Sequence, residues 1–401
     1  MAAAAIGAEV YFNPFDPDFR ANPYPHYKAF YGHGPVPLKL IQPLVLVGRY
    51  ADAVTILHDN GRFSSVRPPG FEAQRELFGG ADTVLFCDPP AHTRLRKLVS
   101  RAFTPRRIGD LEPHISEITG KLLDRVESKG HFEAIADLAT PLPVMVIAHL
   151  LGVPTEQYGR FKDWSDRVIE RRNYPPGTPV PPEITTAMSE LRAFFAAEIE
   201  HRRNAPTDDL IGLLVTAQEE GNALSAAELL AFTILLLLAG NETTTNLIGN
   251  GTLALGRNPD QLDLLSRNRS LIPRAIEEMV RYDGPVQATG RTATRDIEVG
   301  GTPISTGTMV LTILAAANRD PARFAEPDRF DITRDLDEHL GFGQGIHYCL
   351  GAALARLEAR IAFDALLDRF PRLRLANPET QYVYKGNYFL RGLAELPMTI
   401  D

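Results

Sequence analysis

Cys349 stands in the stretch Phe342-Gly343-Gln344-Gly345-Ile346-His347-Tyr348-Cys349-Leu350-Gly351, which runs straight into Ala352-Ala353-Leu354-Ala355-Arg356-Leu357-Glu358-Ala359-Arg360. The second part is a strong helix former, so the thiol is placed at a helix N-terminus. Unpaired backbone N–H groups and the positive end of the helix dipole favour a thiolate over a thiol there. Gly343, Gly345 and Gly351 remove side chains around the sulfur, which lets the backbone turn sharply and a flat ligand approach closely. A thiolate in such bare surroundings is a good metal ligand.

Two further constellations carry chemistry. Ser225-Ala226-Ala227-Glu228 is a capping-box signature, and from Leu229 the chain is apolar on every side of a helix up to Ala239-Gly240-Asn241-Glu242-Thr243-Thr244. A helix that is apolar all round must be central, and an acid and hydroxyls placed in it are costly unless satisfied or functional. Glu278 and Arg281 lie three residues apart on a helix expected over Leu271 to Tyr282, on one face and able to pair.

The elements that must position these groups are mostly helical. Apolar residues recur three and four apart from about residue 89 onward, as in Ile115, Ile118, Leu122 and Leu123. β-like runs are confined to Leu44 to Val47, Asp296 to Val299 followed by Gly300-Gly301, and Met309 to Ile313. No linker, repeat or low-complexity tract divides the chain, so the expectation is one domain over 1–401, mainly α with small β-sheets. Two long loops, Ser64 to Pro90 and the proline-rich Tyr174 to Pro182, are candidates for covering a binding site.

Composition narrows the function. With 42 Lys+Arg against 50 Asp+Glu, the net charge is −8, which argues against nucleic-acid binding. Two cysteines, Cys87 and Cys349, are too few for a disulfide framework and point to a reducing, cytoplasmic setting. The first residues lack the basic flank of a signal peptide, and the apolar run Leu229 to Gly240 falls short of the roughly 20 residues that span a bilayer, so no membrane partner is expected.

The Cys349 stretch resembles the haem-binding loop of the cytochrome P450 family, whose pattern Phe-x-x-Gly-x-x-x-Cys-x-Gly it matches through Phe342, Gly345, Cys349 and Gly351, with Gly343 inside it. The family's other signatures precede the cysteine: Glu-x-x-Arg at Glu278 and Arg281, Ala-Gly-x-Asp/Glu-Thr-Thr at Ala239-Gly240-Asn241-Glu242-Thr243-Thr244, and His-x-x-x-Arg at His92 and Arg96. The resemblance implies a cytochrome P450 fold holding haem b between the long central helix and the helix after Cys349, with Cys349 as axial ligand of the iron. It places Arg96, His92, Arg291 and His347 on the haem propionates. It assigns Glu278, Arg281 and, as a second Arg for Glu278, Arg329 to a structural role. Gly240 would leave room for O2 beside the helix, and Glu242 and Thr243 would hold waters that deliver protons.

The activity so implied is insertion of one atom of O2 into an apolar organic substrate such as a terpenoid, steroid, fatty acid or other natural product. Phe71, Leu77, residues flanking Tyr174 to Pro182, Leu235, Leu238, Val286 to Thr289, and Tyr388 to Leu390 are candidates to line that substrate. No Gly-x-Gly-x-x-Gly follows a strand, so electrons are expected from a ferredoxin and its reductase. Between His92 and Arg107 the chain carries Arg94, Arg96, Lys97, Arg101, Arg106 and Arg107 and no acid, a patch suited to an acidic partner, with Arg356 and Arg360 extending it. A peroxygenase using hydrogen peroxide, and a haem-thiolate sensor or carrier without turnover, are the alternatives.

Overall fold

A computed structural model describes residues 10–14, 16–39, 43–67, 78–170, 179–219, 224–335, 338–385 and 389–400. Its architecture is mainly helical with small sheets. The central helix, Ala226–Arg257, is 32 residues long and starts as its sequence demands. Ser225 Oγ accepts from Glu228 N at 3.2 Å, and Glu228 Oε2 accepts from Ser225 N at 2.8 Å.

The apolar first half of this helix is buried because helices meet it on several sides. Leu229, Phe232, Ile234, Leu235, Leu237 and Leu238 share one core with residues of the helices Pro141–Leu150, Tyr158–Glu170, Pro182–Asn204 and Leu210–Glu219. Further along, Leu247, Ala254 and Leu255 pack on the helices Ile272–Asp283 and Ala352–Arg369. A Cβ at Gly251 would come 2.6 Å from Met279 Sδ and 2.9 Å from Phe363 Cζ, so glycine lets the three helices close together. By length and composition the central helix could cross a membrane; here its apolar residues form the protein core.

The main sheet has five strands, β1 (Val36–Lys39), β2 (Pro43–Val47), β3 (Phe63–Ser64), β4 (Thr289–Ala293) and β5 (Met309–Thr312), in the order β1-β2-β5-β4-β3. β2 and β5 run parallel, with Leu46 opposite Leu311, and the other pairs are antiparallel. β2 and β5 are the apolar runs legible in the sequence, as is the strand Ile297–Val299, which Gly300 and Gly301, at φ 54° and 82°, turn into a hairpin with Thr302–Ile304. β4 is not, because Thr289-Gly290-Arg291-Thr292-Ala293 buries an arginine and an alanine rather than an apolar row.

One ion pair organises the approach to the cysteine. Glu278 and Arg281 are fully buried and bonded twice, Arg281 Nε to Glu278 Oε2 at 2.7 Å and Nη2 to Oε1 at 2.8 Å. The remaining donors of Arg281 reach the carbonyls of Asn318, Pro327 and Arg329, and Asp331 N donates to Glu278 Oε1 at 2.9 Å. The side chain of Arg329 does not join them: it is exposed and pairs with Glu326. The second guanidinium beside Glu278 belongs to Arg334, whose Nε lies 3.4 Å from Oε2, because the turn at 331–334 folds back over the pair. Arg329 contributes its carbonyl only.

Candidate functional site

The cysteine loop is built by its glycines. Gly343 and Gly345 have φ of 69° and 70°, and a Cβ at Gly345 would lie 2.3 Å from the Leu57 carbonyl, so the loop is pressed onto the helix Tyr50–His58 where no side chain fits. Cys349 N donates to Phe342 O at 2.9 Å, and Gly351 caps the helix Ala352–Arg369. Backbone N–H groups of Gly351 and Ala352 lie near the Cys349 sulfur and favour its thiolate, as a helix start should.

Even so, burial pushes the Cys349 thiol above its ordinary value and outweighs those N–H groups and the guanidinium groups of Arg96 and Arg356. A metal ion bound to the sulfur would hold it as a thiolate, because the ion removes the proton outright. The residue is nevertheless accessible, in the manner of a group facing a cleft, and a Cβ at Gly351 would meet nothing within 4 Å. Its neighbour Leu350 packs on the core that holds the central helix. Cys87, by contrast, is buried and pushed up to about 11 by burial, an inert thiol.

Three elements, the helix Ala91–Ser100, the strand Thr289–Ala293 and the turn Gly345–His347, bring His92, Arg96, Arg291 and His347 together. The His92 and His347 rings are 4.3 Å apart, and Arg291 and Arg96 each act on His347 through their charge. His92 is buried with no hydrogen-bond partner on Nε2. Among the described residues, buried Arg291 has only Thr289 Oγ1 and the Gly290 carbonyl as acceptors, and burial lowers it to about 10. Arg96 donates to the Tyr348 carbonyl at 2.7 Å. Burial and the fields of Arg291, His92 and Arg96 lower His347 to about 3, and Ser65 Oγ lies 2.8 Å from its Nε2. A buried guanidinium with no carboxylate and a buried ring nitrogen with no partner are costly unless an anion completes them.

On the central helix one stripe stays open while its flanks are buried. Ala239 is exposed, Gly240, Glu242 and Thr243 are half-buried, and Leu238, Asn241 and Thr244 are buried. Positions 239, 242 and 243 share a helix face. Thr243 Oγ1 donates to Ala239 O at 2.6 Å, which leaves the hydroxyl oxygen free to accept. Gly240 serves helix packing, since a Cβ there would come 3.3 Å from Ile147 Cδ1. Asn241, given no role by its sequence position, donates to Ser165 Oγ at 2.7 Å on the buried face; an amide inside an apolar helix was the available signal.

Of the expected lining residues, Val286 and Leu390 form a β-bridge and Gln287 N donates to Phe389 O, so these two segments meet. Leu235 and Leu238 are core residues. Phe71, Leu77, Tyr388 and residues 174–178 lie outside the described residues. A polar surface cleft of about 480 Å³ is lined by Tyr24, Arg257, Asp283, Arg319, Tyr384 and Arg391 and contains none of the candidate site residues.

The cationic surface is narrower than its sequence suggests. Arg356 is bound twice to Glu277, at 2.6 and 2.8 Å, and Arg360 pairs with Glu112 at 2.7 Å. Arg94 pairs with Glu228. Lys97, Arg101, Arg106 and Arg107 are exposed, and none has a carboxylate partner among the described residues. The short helix Pro105–Asp110 carrying the last two packs against the helix Ala352–Arg369.

Fold and site together define a helical protein with an accessible cysteine at a helix start and cations placed for an anionic ligand beside it. Residues 182–381 match the family model described as Cytochrome P450. The chain is 48% identical over 315 residues to cytochrome P450 CYP107DY1 of Priestia megaterium, covering 79% of this chain and 76% of that protein. It is 41% identical over 406 residues to a vitamin D(3) 25-hydroxylase of Pseudonocardia autotrophica, covering 100% and 99%. The crystal structure of CYP109E1 from Bacillus megaterium in complex with testosterone superposes with a TM-score of 0.87 at 37% identity, over 96% of this chain and 100% of that one. The chain belongs to the cytochrome P450 family, and is a haem-dependent monooxygenase. The residues present fit haem b: the partnerless His92 Nε2 and the carboxylate-free Arg291 suit its two propionates, and Gly351 leaves space beside the sulfur.

The Glu277 contacts give a pH dependence. Burial would raise this carboxyl, but hydrogen bonds from Arg356 and His339 outweigh it and bring it to about 2, from an ordinary 4.5. A depressed acid stabilises the fold fully above its unfolded value and loses that contribution as pH falls. Acid unfolding followed by circular dichroism should therefore show a loss of stability between about pH 4.5 and 2 that Glu277→Gln reduces.

Proposed function

We propose that Cys349 is the axial ligand of the haem iron and that His92, Arg96, Arg291 and His347 hold the propionates, with Phe342, Gly343 and Gly351 on the cysteine side of the ring and Ala239 and Gly240 on the other. The observation that carries this reading is the accessible thiol at a glycine-flanked helix start, beside a buried guanidinium and a ring nitrogen that lack anionic partners among the described residues. Bound haem supplies activation of O2, from which one atom enters the substrate and the other leaves as water. The protein's own part on the open side is proton handling. Thr243 accepts a hydrogen bond from water through an oxygen whose own proton is engaged with Ala239 O, and the half-buried Glu242 relays protons to that water from outside.

The substrate proposed is an apolar, ring-containing molecule of steroid size. The full-length similarity to a vitamin D(3) 25-hydroxylase and the likeness to a testosterone-bound structure support it. Electrons would come from a ferredoxin and its reductase, docking on Lys97, Arg101, Arg106 and Arg107, within one domain working in the cytoplasm; two free cysteines suit that setting.

Thr243→Ala should retain haem and substrate binding but divert electrons from NADPH into hydrogen peroxide, and Glu242→Gln should slow turnover on the order of 10²-fold while sparing binding. Product yield per NADPH with surrogate redox partners checks both, and unaltered coupling in Thr243→Ala would leave the pair a structural role. Reduction by ferredoxin should weaken as salt shortens the Debye length below roughly 8–10 Å. Arg101→Glu with Arg106→Glu should slow that reduction but not a peroxide-driven reaction; equal loss in both assays would point to misfolding.

A further inference from the structure

Asp88 and Ser65 belong to no motif named so far, yet both stand behind the cations at the proposed cofactor edge. The Asp88 carbonyl accepts from His92 N at 2.9 Å, at the entry to the helix Ala91–Ser100. Its carboxylate accepts from Ser65 N at 2.8 Å through Oδ1 and from Ser64 Oγ at 2.5 Å through Oδ2. Ser65 is buried and sets its hydroxyl 2.8 Å from His347 Nε2. Ser64 lies opposite Thr292 in the sheet, so the same residue pair borders Arg291. Through its carbonyl and its carboxylate, Asp88 thus ties together the chain segments that carry His92, His347 and Arg291.

The charges around it are uneven. Arg96 and Arg291 stand as cations beside the two histidines. Asp88 is the acid whose field reaches both His92 and Arg291. In a partly buried site, where screening is weak, such a fixed charge acts on a neighbouring cofactor.

We propose that Asp88 and Ser65 are positioning residues of the haem edge: Ser65 aims His347, and Asp88 holds Ser64, Ser65 and the start of the His92 helix while supplying a fixed negative charge beside the propionates. The inference rests on the haem reading above. It separates into a steric part, carried by Ser65, and an electrostatic part, carried by Asp88.

Two substitutions in the holoenzyme resolve these parts. Asp88→Asn keeps an oxygen for Ser65 N but removes the charge; Ser65→Ala keeps the charge but releases His347. Asp88→Asn should raise the reduction potential of the iron in a dye-coupled titration, because losing a nearby negative charge disfavours the more positive, oxidised state. Ser65→Ala should speed transfer of haem to excess apomyoglobin about tenfold, the equivalent of ~1.4 kcal/mol, with little change in potential. Ser65→Thr, which retains the hydroxyl, should restore the slow transfer. An unchanged potential in Asp88→Asn overturns the electrostatic part. Unchanged haem transfer in Ser65→Ala, or failure of Ser65→Thr to restore it, overturns the positioning part. Wild-type protein that takes up no haem would instead defeat the haem reading itself, before either variant is compared.

Discussion

The buried pair of Glu278 and Arg281 is the constraint on which the cysteine loop depends. Neither side chain has access to water, so each charge must be met by the other and by fixed dipoles, and removing either would strand a buried ion at a cost of about 3–5 kcal/mol. The pair satisfies this need by gathering the carbonyls of Asn318, Pro327 and Arg329 and the amide of Asp331. Asn318 then passes the order on, because its side-chain oxygen accepts from Leu340 N at 2.6 Å, two residues before Phe342. A helix some 70 residues upstream therefore sets where the loop begins, and Phe342 O in turn holds Cys349 N.

The same logic of enforced polarity runs through the central helix. Its burial is driven by leucine and isoleucine packed from several helices, and that burial makes each polar atom on it consequential. Asn241 and Thr244 are turned to the buried face and Asn241 is bonded there, whereas Ala239, Glu242 and Thr243 remain on the accessible stripe. An apolar helix with one open polar stripe can admit a small ligand and a few waters without exposing the core. That division between a sealed face and an open one lets the element that builds the core also serve the site.

What could be read from the sequence was local. The cysteine loop declares itself through glycines within a few residues of the thiol, and the capping box through a serine and glutamate three apart; both are found as expected. What could not be read was non-local. Arg356 looks like a surface cation until the fold brings Glu277 against it, and Arg360 until Glu112 arrives. Arg329 and Arg334 are equally good partners for Glu278 on paper, and only the turn between them decides for Arg334. That Gly240 also lets Ile147 of another helix pack close could not be read from the sequence.

Every part of the account meets at the Cys349 sulfur, and the absorption spectrum of the reduced carbon monoxide complex reports on it directly. The wild-type protein and Cys87→Ser should both show the band typical of thiolate ligation, since Cys87 is a buried, inert thiol, and Cys349→His should lose it. An unchanged band in Cys349→His, or its loss in Cys87→Ser, would contradict the assignment.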